Sequence, residues 1–161
     1  MTSRLSVQIR RPRAADFASD ADATATMYLA ARRAMLPDLR DPHTEAETHA
    51  WMRDTVFTRY SVRLAEVDGE IVGFAARDGA WLMQLYVKPG WTGRGIGANL
   101  LRIALADAAF ATPMLRLYTF ARNAGARRFY ERHGFVAVAF GDGSGNQEGE
   151  PDVRYERGTR A

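Results

Sequence analysis

Two periods alternate along this chain, and the switches between them mark its elements. Val7 to Arg11 (VQIRR) alternates in and out and predicts a short first strand. Asp16 to Met35 is rich in alanine, with apolar residues three and four apart, and predicts one helix or two joined by a kink. Pro37 and Pro42 interrupt that pattern and mark a loop. Thr44 stands three residues before Glu47, the spacing of a capping box, so a second helix is expected over Glu45 to Phe57 with Trp51 turned inward. Period two then returns. Ser61 to Val67, Glu70 to Arg77 and Ala80 to Val87 read as strands joined by tight turns at Asp68-Gly69 and Asp78-Gly79. The third is the most apolar and is placed centrally.

The remaining pattern is helix, strand, helix and two strands. Leu100, Leu101, Ala104, Leu105 and Ala108 share one face of a helix over Gly95 to Phe110. Met114 to Phe120 is a strand. Asn123 to Gly134 is a helix that stops at a glycine. Phe135 to Phe140 and Val153 to Glu156 are strands around a glycine-rich loop. The order β-α-α-β-β-β-α-β-α-β-β combines hairpins with a strand-helix-strand crossover. The class is therefore α+β with a mixed sheet.

At 161 residues, with 47% hydrophobic and 25% charged residues, the chain (1–161) is expected to form a single domain. The lack of cysteine excludes disulfides, thiolate metal sites and cysteine nucleophiles. Three scattered histidines give no metal-binding spacing, so no metal is expected. The start, MTSRLSVQIRR, lacks the apolar stretch of a signal peptide, and no run reaches membrane-spanning length, so a cytoplasmic protein is expected. The net charge is only +3 and no long basic run is interleaved with aromatics, which disfavours nucleic acid as a partner. A small polyanion explains the excess arginine as well.

That anion has a candidate seat. Gly90 to Leu101 reads GWTGRGIGANLL, with glycines at 93, 95 and 97 just ahead of a helix. Successive amides there can point at a pyrophosphate, and the helix dipole adds about half a positive charge. Arg94 adds a charged donor. A dinucleotide fold is the first competitor, because Gly93 to Ala98 fits G-x-G-x-x-G/A. It fails on context: the next strand, Leu115 to Thr119, carries no acid for a ribose, and two hairpins precede the glycines. No Gly-Lys-Ser/Thr follows, so the Walker pattern is absent.

LYVKPGWTGRGIGANLL, Leu85 to Leu101, resembles the acyl-CoA-binding motif Q/R-x-x-G-x-G/A of the GCN5-related N-acetyltransferases. Gly95 and Gly97 stand at the motif's glycines. Thr92 stands at its Gln/Arg position, a departure that touches the side-chain contact there and not the backbone cradle. NAGARRFYERHGF, Asn123 to Phe135, resembles the family segment N-x-x-A-x-x-F-Y-E-x-x-G-F. The resemblance extends to strand order over the whole chain. It implies a central mixed, twisted sheet with splayed fourth and fifth strands and about four flanking helices. It also implies acetyl-CoA as co-substrate and acetyl transfer to a primary amine, with a small-molecule acceptor and a monomer or homodimer.

Residue by residue, the resemblance puts Leu85, Tyr86 and Val87 along pantetheine, and Thr92, Gly93, Arg94, Gly95, Ile96, Gly97 and Ala98 around the pyrophosphate. Asn123 would meet the pantetheine arm, and its place also suits a helix cap. Arg127 and Arg128 lie on the side expected for a nucleotide phosphate, or are plain surface arginines; Arg128 is the one assigned to the cofactor. Tyr130 matches the family's general acid, and on an amphipathic helix its ring equally suits packing. No base is assigned: Trp81 to Leu85 holds no carboxylate, and Glu66, Asp68 and Glu70 belong to a turn and to solvent. His43 and His133 receive no role. Leu36 to Thr44 and Gly141 to Asp152 are expected to select the acceptor. Asp142, Glu148, Glu150 and Asp152 either attract a cationic acceptor or form a solvated loop. The competing function is an acyl-CoA-binding sensor or interaction module without turnover.

Overall fold

A computed structural model describes residues 6–160. Met1 to Leu5, the start of the segment read for a signal peptide, and Ala161 lie outside the described residues. The strands are β1 (Gln8–Arg10), β2 (Ser61–Val67), β3 (Glu70–Asp78), β4 (Trp81–Val87), β5 (Met114–Phe120), β6 (Val136–Gly141) and β7 (Asp152–Gly158). The helices are α1 (Phe17–Met35), α2 (Glu45–Trp51), α3 (Phe57–Arg59), α4 (Ile96–Ala108) and α5 (Ala124–Arg132). One seven-stranded sheet runs β1-β2-β3-β4-β5-β7-β6. Every neighbouring pair is antiparallel except β4 and β5.

The sheet separates two apolar cores. On one face, Ile96, Leu100, Leu101, Ala104, Leu105 and Ala108 of α4 pack on Val72, Leu82, Leu115 and Leu117. On the other, Ala25, Tyr28 and Leu29 of α1 meet Met52, Val56, Leu64 and Phe74. Gly73 on β3 lets α4 come close: a Cβ there would stand 3.1 Å from the Tyr86 carbonyl and 3.2 Å from Ile96 and Leu100. No helix among the described residues is long and apolar enough to cross a membrane.

Two local expectations are corrected and a third is refined. The second helix carries the expected capping box at Thr44 but changes register over Met52–Val56, a π-helical stretch joining α2 to α3. The wider turn brings Met52, Val56 and Phe57, at 0%, 0% and 7% exposure, closer to one line along the helix than a 3.6-residue period would. The second hairpin turns one residue later than expected, at Gly79-Ala80, because Asp78 still pairs with Trp81. And β4, central as expected, is largely half-buried; Leu82 is its one buried residue. Its exposure traces to the strand beside it.

Candidate active site between β4 and β5

β4 and β5 join at a single bridge, Trp81 to Arg116, reinforced by the Arg116 amide donating to the Ala80 carbonyl at 2.8 Å. β4 then carries a bulge. Ala76 pairs with Gln84 and Arg77 with Leu82, leaving Met83 without a partner on β3. A bulge bends its strand, and beyond this one β4 and β5 part. The gap opens into a cavity of about 650 Å³ lined by both strands, by Asn123, Ala126 and Tyr130 of the α5 segment, by α1 and by the β6–β7 loop.

The glycine segment lies between the end of β4 and α4. Gly90, Gly93 and Gly95 take φ of +88°, +76° and +81°, and Gly95 is the N-cap of α4. Their backbone angles require glycine. Gly97 does not: its φ is ordinary, and a Cβ would sit an easy 3.6 Å from Phe129 and Val87. The Trp91 amide donates to the Lys88 carbonyl and the Asn99 amide to the Gly95 carbonyl, both at 3.0 Å. Between them, no amide from Thr92 to Ala98 has a protein acceptor among the described residues. Seven donors at a helix N-terminus without an acid in the first turn are free to meet an anion. Arg94 lies over the Trp91 ring at 4.7 Å.

α5 aims the second motif. The Asn123 side chain accepts from the Ala126 amide at 3.1 Å, capping α5, while its Nδ2 donates to Met35 Sδ on α1 at 2.9 Å. Gly134 ends the helix at φ +86°. Tyr130 is 8% exposed, packed edge-on against Phe129 and Phe135 with ring centres at 5.2 and 5.6 Å. It also lines the cavity, and its hydroxyl has no hydrogen-bond partner among the described residues. Packing and exposure to the cavity thus coexist in one side chain. Burial pushes its phenol well above the ordinary range, so it stays protonated at neutral pH. Tyr86, on β4, is shifted the same way, first by burial and then by Tyr28.

The two arginines of α5 separate. Arg127 is used internally, donating to the Tyr155 hydroxyl at 3.0 Å and the Ala121 carbonyl at 3.3 Å. Arg128 is exposed and makes no side-chain bond among the described residues. The acidic loop is also largely engaged. Glu148 pairs with Arg32 at 2.7 Å, Glu150 pairs with Arg122, and Asp142 accepts from the Ser144 amide at 2.9 Å. Asp152 accepts from Asn146 at 3.2 Å. These bonds fold the loop across the cavity toward α1, where Gln147 also meets His43 at 2.7 Å.

Sequence reasoning missed the contribution of α1. Tyr28, Arg32 and Met35 line the cavity together, and Arg32 donates to the Tyr28 hydroxyl at 2.8 Å. Their spacing of four and three places them on one helix face, a signal present in the sequence but shared with any core-facing stripe.

With this geometry in hand, likeness to known proteins is decisive. A sequence model of the acetyltransferase (GNAT) domain matches residues 58–137. The chain belongs to the GNAT family. A curated relative, an uncharacterized N-acetyltransferase of Archaeoglobus fulgidus, is 38% identical over 81 residues, 43% of this chain and 55% of the relative. The chain thus spans about half the length of that relative. The GNAT fold extends further than the sequence likeness. A putative GNAT acetyltransferase of Desulfovibrio desulfuricans superposes with a TM-score of 0.75 at 21% identity, covering 96% of this chain and all of that one. The PaiA N-acetyltransferase of Thermoplasma acidophilum, solved with coenzyme A, gives 0.71 at 19% identity over 95% and 99% of the two chains. At such identity the likeness is one of fold. The splayed fourth and fifth strands and the mixed sheet are those of a GNAT domain.

Proposed function

We propose that this GNAT chain is an N-acetyltransferase that moves an acetyl group from acetyl-CoA to a primary amine. The observation that carries the reading is the continuous opening between β4 and β5. It has Asn123 and Tyr130 on its wall, and the chain that leaves β4 carries an unpaired run of amides into α4. The residues fit the co-substrate. Thr92 to Ala98 supply donors for the pyrophosphate. Gly97, which the protein itself does not require to be glycine, leaves room for close approach. Unpaired edges of Leu85, Tyr86 and Val87 suit the amide-bearing pantetheine arm, which can pair as an added strand. Asn123 stands on the same wall, and exposed Arg128 is free to meet a nucleotide phosphate.

The chemistry asks little more. The amine nitrogen attacks the thioester carbonyl, a C–N bond forms and the C–S bond breaks. The departing sulfur takes a proton from the Tyr130 hydroxyl, the two protons the ammonium sheds before and after attack go to water, and the Tyr130 phenolate takes a proton back from water before the next turnover. A β4 amide is suited to the charge that builds on the carbonyl oxygen. Two cores on the faces of one sheet support a single domain. The cytoplasmic setting stays an inference from the sequence.

The test measures thiol release from acetyl-CoA across an amine panel, together with calorimetric binding of CoA. Tyr130→Phe is expected to lower kcat about 100-fold while CoA binding stays unchanged. CoA binding without turnover of any amine transfers the protein to the sensor reading, for which Thr92 and the carboxylate-free Trp81 to Leu85 leave room. No binding of CoA overturns both.

A further inference from the structure

Seven large apolar side chains remain strongly exposed among the described residues, and four of them line one cavity: Met35, Met83, Tyr118 and Phe140, at 41%, 41%, 56% and 68%. Exposed apolar surface gathered at a concave mouth marks a binding site. Resting on the acetyl-transfer reading, we propose that the acceptor is a small primary amine carried on an aromatic body, and not a polycation.

Three of the aromatic walls, Tyr118, Tyr28 and Tyr86, already have ring partners. Tyr118 stacks on Trp81 with the rings 6° from parallel and 5.3 Å apart. Trp81 itself stays out of the cavity lining, so it backs the Tyr118 ring from behind. Deeper in, Tyr28 and Tyr86 meet edge to face at 4.9 Å. Arg32 ties the Tyr28 hydroxyl to Glu148. Rings immobilised before binding lose little entropy when a flat ligand settles on them.

Charge sets the other half of the class. The cavity-lining carboxylate that α1 bonds, Glu148, is neutralised by Arg32, with both side chains about 15% exposed or less. The negative charge left on the lining sits at the two ends of the β6–β7 loop, Asp142 and Asp152. That suffices to draw in one ammonium group. A second or third ammonium carried deeper would face apolar walls and an arginine, a costly desolvation without a partner. The β6–β7 loop, fastened to α1 through Glu148 and to the α1–α2 loop through Gln147, walls that side and favours a small acceptor.

The experiment compares 2-phenylethylamine, n-propylamine and spermidine. Thiol release is measured with acetyl-CoA, and calorimetric binding is measured on the CoA-bound protein. Phenylethylamine is expected to bind and turn over best. Tyr118→Ala and Phe140→Ala should each raise its KM about tenfold, leaving the KM for acetyl-CoA and for n-propylamine in place. A merely structural role would move all three. Spermidine winning the comparison, or phenylethylamine binding no better than n-propylamine, overturns the proposal while leaving acetyl transfer intact. Binding decides the matter even if chemistry fails: preference for the aryl amine without thiol release supports the pocket reading and removes the enzymatic one.

Discussion

β4 treats its two neighbours unequally. Toward β3 it forms six residue pairs, from Trp81–Asp78 to Val87–Gly73. Toward β5 it forms one, Trp81–Arg116. The paired side is finished structure, with every residue of β4 except Met83 matched on β3. The open side leaves main-chain donors and acceptors without partners inside a sheet, where each must find water or a ligand. Such an opening survives because cores on both faces hold the sheet below and beside it. The lesson is that the site is a place where the sheet stops satisfying itself, and the bulge at Met83 is where it stops.

This contrast can be broken by mutation. The largest effect is expected where β4 faces a core. Leu82→Ala should cost about 3 kcal/mol in urea unfolding, while Met83→Ala, one residue on and 41% exposed, should cost less than about 0.5 kcal/mol. Equal losses would erase the distinction between the core-facing and the cavity-facing positions of β4.

Next comes the far edge of the paired half. Arg10 of β1 bonds Asp20 of α1 at 2.9 Å and Glu66 of β2 at 2.8 Å. Asp20→Asn is expected to lose about 2 kcal/mol. The hydrogen bond from Arg10 holds the Asp20 carboxyl below the usual carboxylate range, against a smaller opposing effect of burial. A depressed folded value means the stabilisation is complete above the unfolded pKa of about 3.9. It is lost as pH falls through and below that point. Urea midpoints measured from pH 7 down to pH 3 should therefore converge for the two proteins; parallel curves would remove Asp20 from the acid response.

Gly73→Ala tests whether the two sides communicate. A Cβ must push α4 or β4 aside by a few tenths of an ångström, costing about 1 kcal/mol. Because Ile96 follows the Gly95 cap, CoA affinity should fall as well, which Leu64→Ala, in the core on the other face and off the cavity lining, should not reproduce at matched stability. The smallest effect belongs to Arg128→Ala. The KM for acetyl-CoA should rise about threefold at low salt and less in 0.5 M salt, since exposed charges are screened. An unchanged KM in both would return Arg128 to plain surface.

Much of this fold was legible from the sequence. The ends of β2 and β5 follow from alternation between turn residues, the helix start at Glu45 from the Thr44–Glu47 box, and the end of α5 from Gly134. These depend on interactions within a few residues, so a local pattern carries them. The π-helical stretch at Met52–Val56 was not legible, because it serves the packing of three side chains against a distant sheet. Half of the candidate site was legible in the same way. Gly93 to Ala98 and Asn123 to Tyr130 are contiguous motifs. Arg127 looked equivalent to Arg128 until the position of Tyr155 separated them, and the acidic loop looked unpaired until Arg32 and Arg122 arrived from elsewhere.

The sequence by itself determined where backbone geometry is unusual and where helices begin and end. Glycine freedom, capping and periodicity are properties of a short stretch of chain. Only the tertiary structure decided that β4 and β5 touch once and then diverge. Only it brought Tyr28, Arg32 and Met35 to the same cavity as Tyr118 and Phe140, and Gly73 beneath α4. Those outcomes rest on packing between segments tens of residues apart, where no local period records which surfaces will meet.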